Sequence, residues 1–278
     1  MRKIYLPVLA VALFGSSCQK EDATSKQNLS LELNGLSSPV RVLPDDGFYE
    51  STKGQTPIDI RESACQKSLS NDPVFHYDAI DAVVKHNTTH YGPGDAEENP
   101  LEHDEYNLKV IPTDLKKDFI TMNGKKYYLM QFHFHYGSEH ALNGKKFDME
   151  VHLVHMADDG HFAVVGVFIE KRKENEVLHK IFSQSPDPSG IHGSVNDGRL
   201  IAFNPLSLLP NDLKHYFTYS GSLTTPSYSE ELKWVVFKSA ISVSKEEYAH
   251  YTDIYEEPNV RPLQSLGNRV VLVHGNGK

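Results

Sequence analysis

The chain has 278 residues, 39% of them hydrophobic and 23% charged, with a formal net charge of −9. Length and composition are those of a soluble globular protein with ample material for a buried core. The negative balance and the lack of any basic run argue against nucleic acid as a partner.

Taken in order, the chain begins with Arg2 and Lys3, an apolar run from Ile4 to Phe14, and then Gly15-Ser16-Ser17-Cys18. A charged start, a short apolar stretch and small residues predict a signal peptide over residues 1–17, too short to span a membrane. A cysteine directly behind small residues resembles a bacterial lipoprotein signal, although Gly15 stands where leucine is usual. That resemblance implies export across the inner membrane and a lipid on Cys18, giving a periplasmic, outer-membrane or cell-surface protein. Residues 18–38 are polar and rich in Ser and Asn, as a tether would be. With Cys18 lipidated, Cys65 is the one remaining thiol, so no disulfide is expected within the chain. No linker divides the rest of the chain, and residues 39–278 read as a single domain.

Short apolar or alternating runs broken by Gly, Pro, Asn and Asp dominate that domain, which predicts a sheet-dominated α+β fold. Expected strands are 58–60, 106–111, 126–135, 149–155, 163–170, 234–237 and 269–273. Asn123-Gly124 marks a further hairpin, with strands over 119–122 and 126–130. Short helices are expected over 175–183, 206–209 and 245–251. Two stretches, 87–104 and 185–198, read as long loops because of their Gly, Pro and acidic residues.

The chemistry concentrates between Gln131 and His155. Alternation along a strand puts Gln131, His133 and His135 on one face and Phe132 and Phe134 on the other. In the next run Glu150, His152 and Val154 share a face. Leu142-Asn143-Gly144-Lys145-Lys146 between them predicts a tight turn joining the two as a hairpin, which would gather His133, His135 and His152 on one surface. Three histidines with no fourth protein ligand describe a catalytic zinc site that keeps one position for water. Gln131 and Glu150, each two residues before a candidate ligand, suit the hydrogen-bonding partners that ligating imidazoles need. His133-x-His135 followed by Glu139 also fits the first metal motif of the cupins, which would make Glu139 an iron or manganese ligand. The second cupin motif is absent downstream.

The segment resembles the α-class carbonic anhydrases more closely. Their signature stands here as Ser138-Glu139-His140 and Glu150-Val-His152-Leu-Val-His155. Further matches are Gln55-Thr-Pro57-Ile-Asp-Ile60, Tyr219-Ser-Gly221-Ser-Leu-Thr-Thr-Pro226, Trp234, and Asn259-Val-Arg261-Pro-Leu-Gln264. The resemblance spans about residues 54–273. It implies a large, mostly antiparallel twisted sheet with short peripheral helices, and zinc on His133, His135 and His152. The implied reaction is reversible hydration of carbon dioxide to bicarbonate and a proton by zinc-bound hydroxide. Gln131, Glu150 and Asn259 would support the ligands. Thr224 would accept a hydrogen bond from the hydroxide and donate its own proton to Glu139. Val154, Val164, Leu223, Leu232 and Trp234 fall where the family builds its apolar substrate pocket, with Thr225 beside them. The family's proton-relay histidine maps onto His90 by counting forward and onto Tyr106 by counting back, an insertion at about 91–105 separating the two counts, and His103 is a substitute. The family's N-terminal Trp-x-Tyr motif is missing, and Tyr136 follows the histidine pair.

Overall fold

The computed structural model describes residues 54–68, 70, 73–89, 105–185, 198–255 and 258–275. These belong to one compact unit, Val40–Lys278. The expected signal and tether, Cys18, His90 and His103 lie outside the described residues.

In chain order the strands are β1 (Asp59–Ile60), β2 (Gln66–Lys67), β3 (Val74–His76), β4 (Ile80–Thr89) and β5 (Glu105–Pro112). Then come β6 (Phe119–Met122), β7 (Lys125–Tyr136), β8 (Ala141–Leu142), β9 (Met149–Met156) and β10 (Phe162–Lys171). The last are β11 (Arg199–Phe203), β12 (Tyr216–Gly221), β13 (Leu232–Phe237), β14 (Ile241–Val243) and β15 (Leu272–Val273). Among the described residues, thirteen strands form one sheet whose spine runs β11-β4-β5-β7-β9-β10-β13-β12-β15-β2. Its pairs are antiparallel except β10–β13, β10–β14 and β15–β2. The sheet-dominated fold expected from the sequence is the one observed.

The central strands are buried on both faces because both faces are covered. Phe132, Phe134, Val151 and Leu153 point into the larger core, while Val154, Val164 and Trp234 belong to a second apolar cluster. The small helix α1 (Glu176–Phe182) is capped by Asn175, whose Oδ1 accepts from Val177 N and Leu178 N. Helix α2 (Lys245–Ile254) starts with a capping box in which Ser244 and Glu247 satisfy each other's backbone N–H. A 3₁₀ turn covers Pro205–Leu208. All three helical expectations are met, the last with three extra residues.

Several local expectations are corrected. The strands β7 and β9 do pair, but Asn143-Gly144 does not join them directly. It turns the chain inside an excursion in which β8 leaves to pair with β1. Asn143 and Gly144 take φ of 52° and 82°, the left-handed values that an Asn-Gly turn supplies cheaply. The expected loop at 87–104 shortens at its start, because β4 continues its ladder with β5 out to Thr89 opposite Glu105. The strand expected over 269–273 pairs only at Leu272–Val273; Arg269 instead turns its guanidinium onto the Ser220 and Gln55 carbonyls. Strands β2, β3, β4, β8, β11, β12 and β14 had no expectation; they are short or carry interrupted alternation.

One irregularity matters for the site. The β7–β9 register shifts between Leu129 and Gln131, leaving Met130 as the extra residue of a bulge. Odd-numbered Leu129 therefore faces the larger core alongside Phe132 and Phe134, whereas beyond the bulge Gln131 pairs with Val154 on the opposite face.

Candidate metal centre

Two neighbouring strands supply the three imidazoles. In the β7–β9 ladder His133 stands opposite His152, and His135 opposite Glu150. All three rings are buried, and one ligand nitrogen from each lies within 4.8 Å of the others. The other nitrogens are committed: His133 Nδ1 donates to Gln131 Oε1 at 3.0 Å and His135 Nδ1 to the Asn259 carbonyl at 2.7 Å. His152 Nε2 donates to Glu150 Oε1 at 3.0 Å. Each partner is an acceptor, so each of these nitrogens carries a proton and the ring's second nitrogen is left to face the other two imidazoles.

Burial, reinforced by His135 and His152, holds the His133 imidazole well below the usual histidine range. Its Nε2 is buried without a hydrogen-bond partner. A buried lone pair beside two others is costly unless a cation sits among them. Three imidazole nitrogens with oriented outer N–H groups fit zinc, by donor type and by number.

Glu139 lies against this group, its Oε2 3.4 Å from His135 Nε2 and 3.7 Å from His152 Nδ1. Its Oε1 accepts the Arg261 backbone N–H at 2.8 Å. Burial pushes the Glu139 carboxyl up to about 7, against the lowering pulls of His152, the Arg261 amide and the Thr224 hydroxyl. Beside the imidazoles is a cavity of about 200 Å³. Val154, Val164, Leu223 and Trp234 give it an apolar side, and Thr224 and Thr225 also line it. Leu232 does not: as the first residue of β13, opposite Gly221, it is buried in the apolar cluster behind the cavity. Lys109, opposite His133 in the β5–β7 ladder, and Phe162 line the cavity without having been singled out in the sequence.

A model of the eukaryotic-type carbonic anhydrases matches residues 48–275. The chain belongs to the α-carbonic anhydrase family. A carbonic anhydrase of Nostoc sp. is 30% identical across 98% of this chain and 97% of its own length. One from Klebsiella pneumoniae is 32% identical across 84% of this chain and 93% of its own. The structure of the Thermovibrio ammonificans α-carbonic anhydrase, solved with the inhibitor sulfanilamide, superposes with a TM-score of 0.67. That protein is 32% identical, over 79% of this chain and 86% of its own. The chain is thus a carbonic anhydrase by family, and the cupin alternative falls away.

Behind the imidazoles the carbonic anhydrase chain builds a buried polar relay that the motifs alone did not disclose. Glu150 accepts from both the backbone N–H (2.8 Å) and Nδ1 (2.7 Å) of His140, as well as from His152. These bonds hold the Glu150 carboxyl well below the usual range even though burial opposes them. His140 Nε2 meets the Tyr219 hydroxyl at 2.6 Å, and Tyr219 donates to Thr56 Oγ1 at 3.1 Å. Thr56 Oγ1 also accepts from Ser222 N, next to the Leu223–Thr225 loop. Crowding here requires glycine twice. A Cβ on Gly166 would come within 2.9 Å of Glu150 Oε1, and one on Gly221 within 2.2 Å of Thr56 Oγ1. His140 was visible inside Ser-Glu-His; Tyr219 and Thr56 lay in matched motifs but carried no chemical signal of their own.

Of the remaining expectations, Tyr106 is the second residue of β5 and the partner of Thr88. Of the histidines outside the site, His76 is exposed, whereas His86 is half-buried and bonded to the Tyr255 hydroxyl. Cys65 is half-buried, and burial pushes its thiol up to about 11, so it is a poor nucleophile.

Proposed function

We propose that this protein hydrates carbon dioxide reversibly, with zinc held by His133, His135 and His152. The observation that carries the reading is the convergence of three buried imidazoles whose outer nitrogens each have an acceptor. When bound, zinc supplies Lewis acidity and brings the pKa of a coordinated water down to about 7, the value characteristic of carbonic anhydrases as a class.

The chain's own residues divide the remaining work. Gln131, the Asn259 carbonyl and Glu150 fix the three rings and their tautomers. Thr224, whose hydroxyl hydrogen-bonds to Glu139, would accept a hydrogen bond from the O–H of the nucleophile and so orient it toward the substrate. Carbon dioxide is uncharged, and the wall formed by Val154, Val164, Leu223 and Trp234 suits it better than it suits water. Bicarbonate, the product, is an anion, and the Thr224 backbone N–H would be the donor that holds it. The proton must then leave, and His90 is the group we assign to relay it, its ordinary pKa lying near physiological pH. We further propose that the protein is exported and held at a membrane through lipid on Cys18.

The test uses the purified chain, measuring zinc by elemental analysis and carbon dioxide hydration by stopped flow, with and without added imidazole. One zinc and chelator-sensitive hydration support the proposal. Zinc without hydration supports a silent, zinc-binding relative instead. Strong stimulation by imidazole refutes an efficient internal relay through His90.

A further inference from the structure

A second cluster of metal-ligating groups lies away from the imidazole triad, where α1 meets α2. Ligand atoms of Glu174, His179 and Glu247 all fall within 4.8 Å of one another. Glu174 and His179 are exposed, whereas Glu247 is only 6% exposed. The Glu247 Oε2 is held by the Ser244 backbone N–H at 2.7 Å, which fixes the carboxylate. Its Oε1 is buried and has no hydrogen-bond partner. A carboxylate oxygen left this way carries a desolvation cost that its helix-capping role does not require.

The spacing indicates what would satisfy it. His179 Nδ1 lies 3.6 Å from Glu247 Oε1, beyond a hydrogen bond. Two donors each about 2.0–2.1 Å from a tetrahedral ion stand roughly 3.4 Å apart, so the observed gap suits ligands that share one cation. The cluster opens into a cavity of about 510 Å³, also lined by Ser244, Glu246 and His250, with room for coordinated water.

We propose that Glu174, His179 and Glu247 form an accessory, solvent-accessible site for a divalent transition metal of the zinc class. One imidazole and two carboxylates select such an ion over calcium or magnesium, which take oxygen donors alone. The site joins Glu174, just before α1, and His179, within it, to the first turn of α2, so an ion there clips the two helices together. Those helices already touch through the Phe182 and Tyr251 rings, whose centroids are 5.1 Å apart. The Tyr251 hydroxyl in turn donates to the Phe134 carbonyl, between the two triad histidines of β7.

The experiment takes full-length protein with one zinc equivalent already bound and titrates it with further zinc and, separately, cobalt, by equilibrium dialysis and by thermal unfolding. Wild type should take up a second equivalent, and its melting temperature should rise as the site fills. His179→Ala and Glu174→Gln change exposed residues and leave the capping box intact. Each should weaken the second equivalent by about tenfold or more, since losing even an outer-layer partner costs a metal site roughly that much. In both variants the first equivalent and the hydration activity should be unchanged. A second equivalent that binds His179→Ala as tightly as wild type, or a wild type that takes up only one, overturns the proposal. The triad's own loading is read from the first equivalent, so failure of the zinc-enzyme reading would be distinguishable.

Discussion

His152 and His155 sit three residues apart on β9, both buried, yet they face opposite sides of the sheet and have different fates. His152 gives one nitrogen to Glu150 and turns the other toward two more imidazoles. His155 meets the Tyr77 hydroxyl in the larger core, where its ring partner is a phenol rather than further imidazoles. Burial alone pushes its pKa down to about 3, with the Ala163 and Leu153 backbones pulling back only in part. Burial is common to both. What sets the metal centre apart is that strand register brings several imidazole nitrogens to one point.

The comparison is broken most directly by paired substitutions. His152→Ala should lose the zinc and bring hydration down to near background, whereas His155→Ala should keep a full zinc equivalent and most of kcat/KM. Metal analysis and stopped-flow hydration check this, and equal losses in both variants would dissolve the distinction between faces. A smaller effect is expected from the outer partners. Gln131→Ala removes the acceptor that orients His133, and chelator competition should show zinc affinity weaker by about 10–100-fold.

The smallest effect is on the other face and is read as stability against pH. His155 stays neutral in the native protein down to about pH 3, while in the unfolded chain it takes up a proton near its ordinary value of 6.5. Between those values the unfolded state binds more protons, so stability falls as the pH falls, beginning near 6.5 and ending near 3. The contribution is on the order of 1 kcal/mol by pH 6. Urea midpoints measured from pH 7 to 5 should decline in the wild type and flatten in His155→Phe; an unchanged slope in that variant would mean that other groups govern the acid limb.

Much of the architecture was legible in the sequence. The parity of His133, His135 and His152, the capping residues Asn175 and Ser244, and the motif order from Gln55 to Arg261 are all local patterns whose physical meaning does not depend on the rest of the chain. The less legible features depend on partners distant in sequence. Leu232 shares the parity of Trp234 but is one pair too far along β13 to reach the cavity. Lys109 looked like an ordinary strand lysine until β5 paired with β7 and set it opposite His133. His179 is an exposed residue, and nothing near it in sequence announces Glu247 beside it.

By itself the sequence determined which side chains could bind a metal, on which face of which strand they would lie, and which family they resemble. Only the tertiary structure decided that a bulge at Met130 turns Leu129 to the core face and Gln131 to the metal face, a switch that alternation counted along the chain cannot reveal. It also decided that the Asn259 carbonyl would orient His135 and that the Arg261 amide would hold Glu139. The reason is physical: every residue carries much the same carbonyl, and every residue except proline the same N–H. A backbone group therefore acquires a specific role from where the fold delivers it, and no letter of the sequence records that delivery.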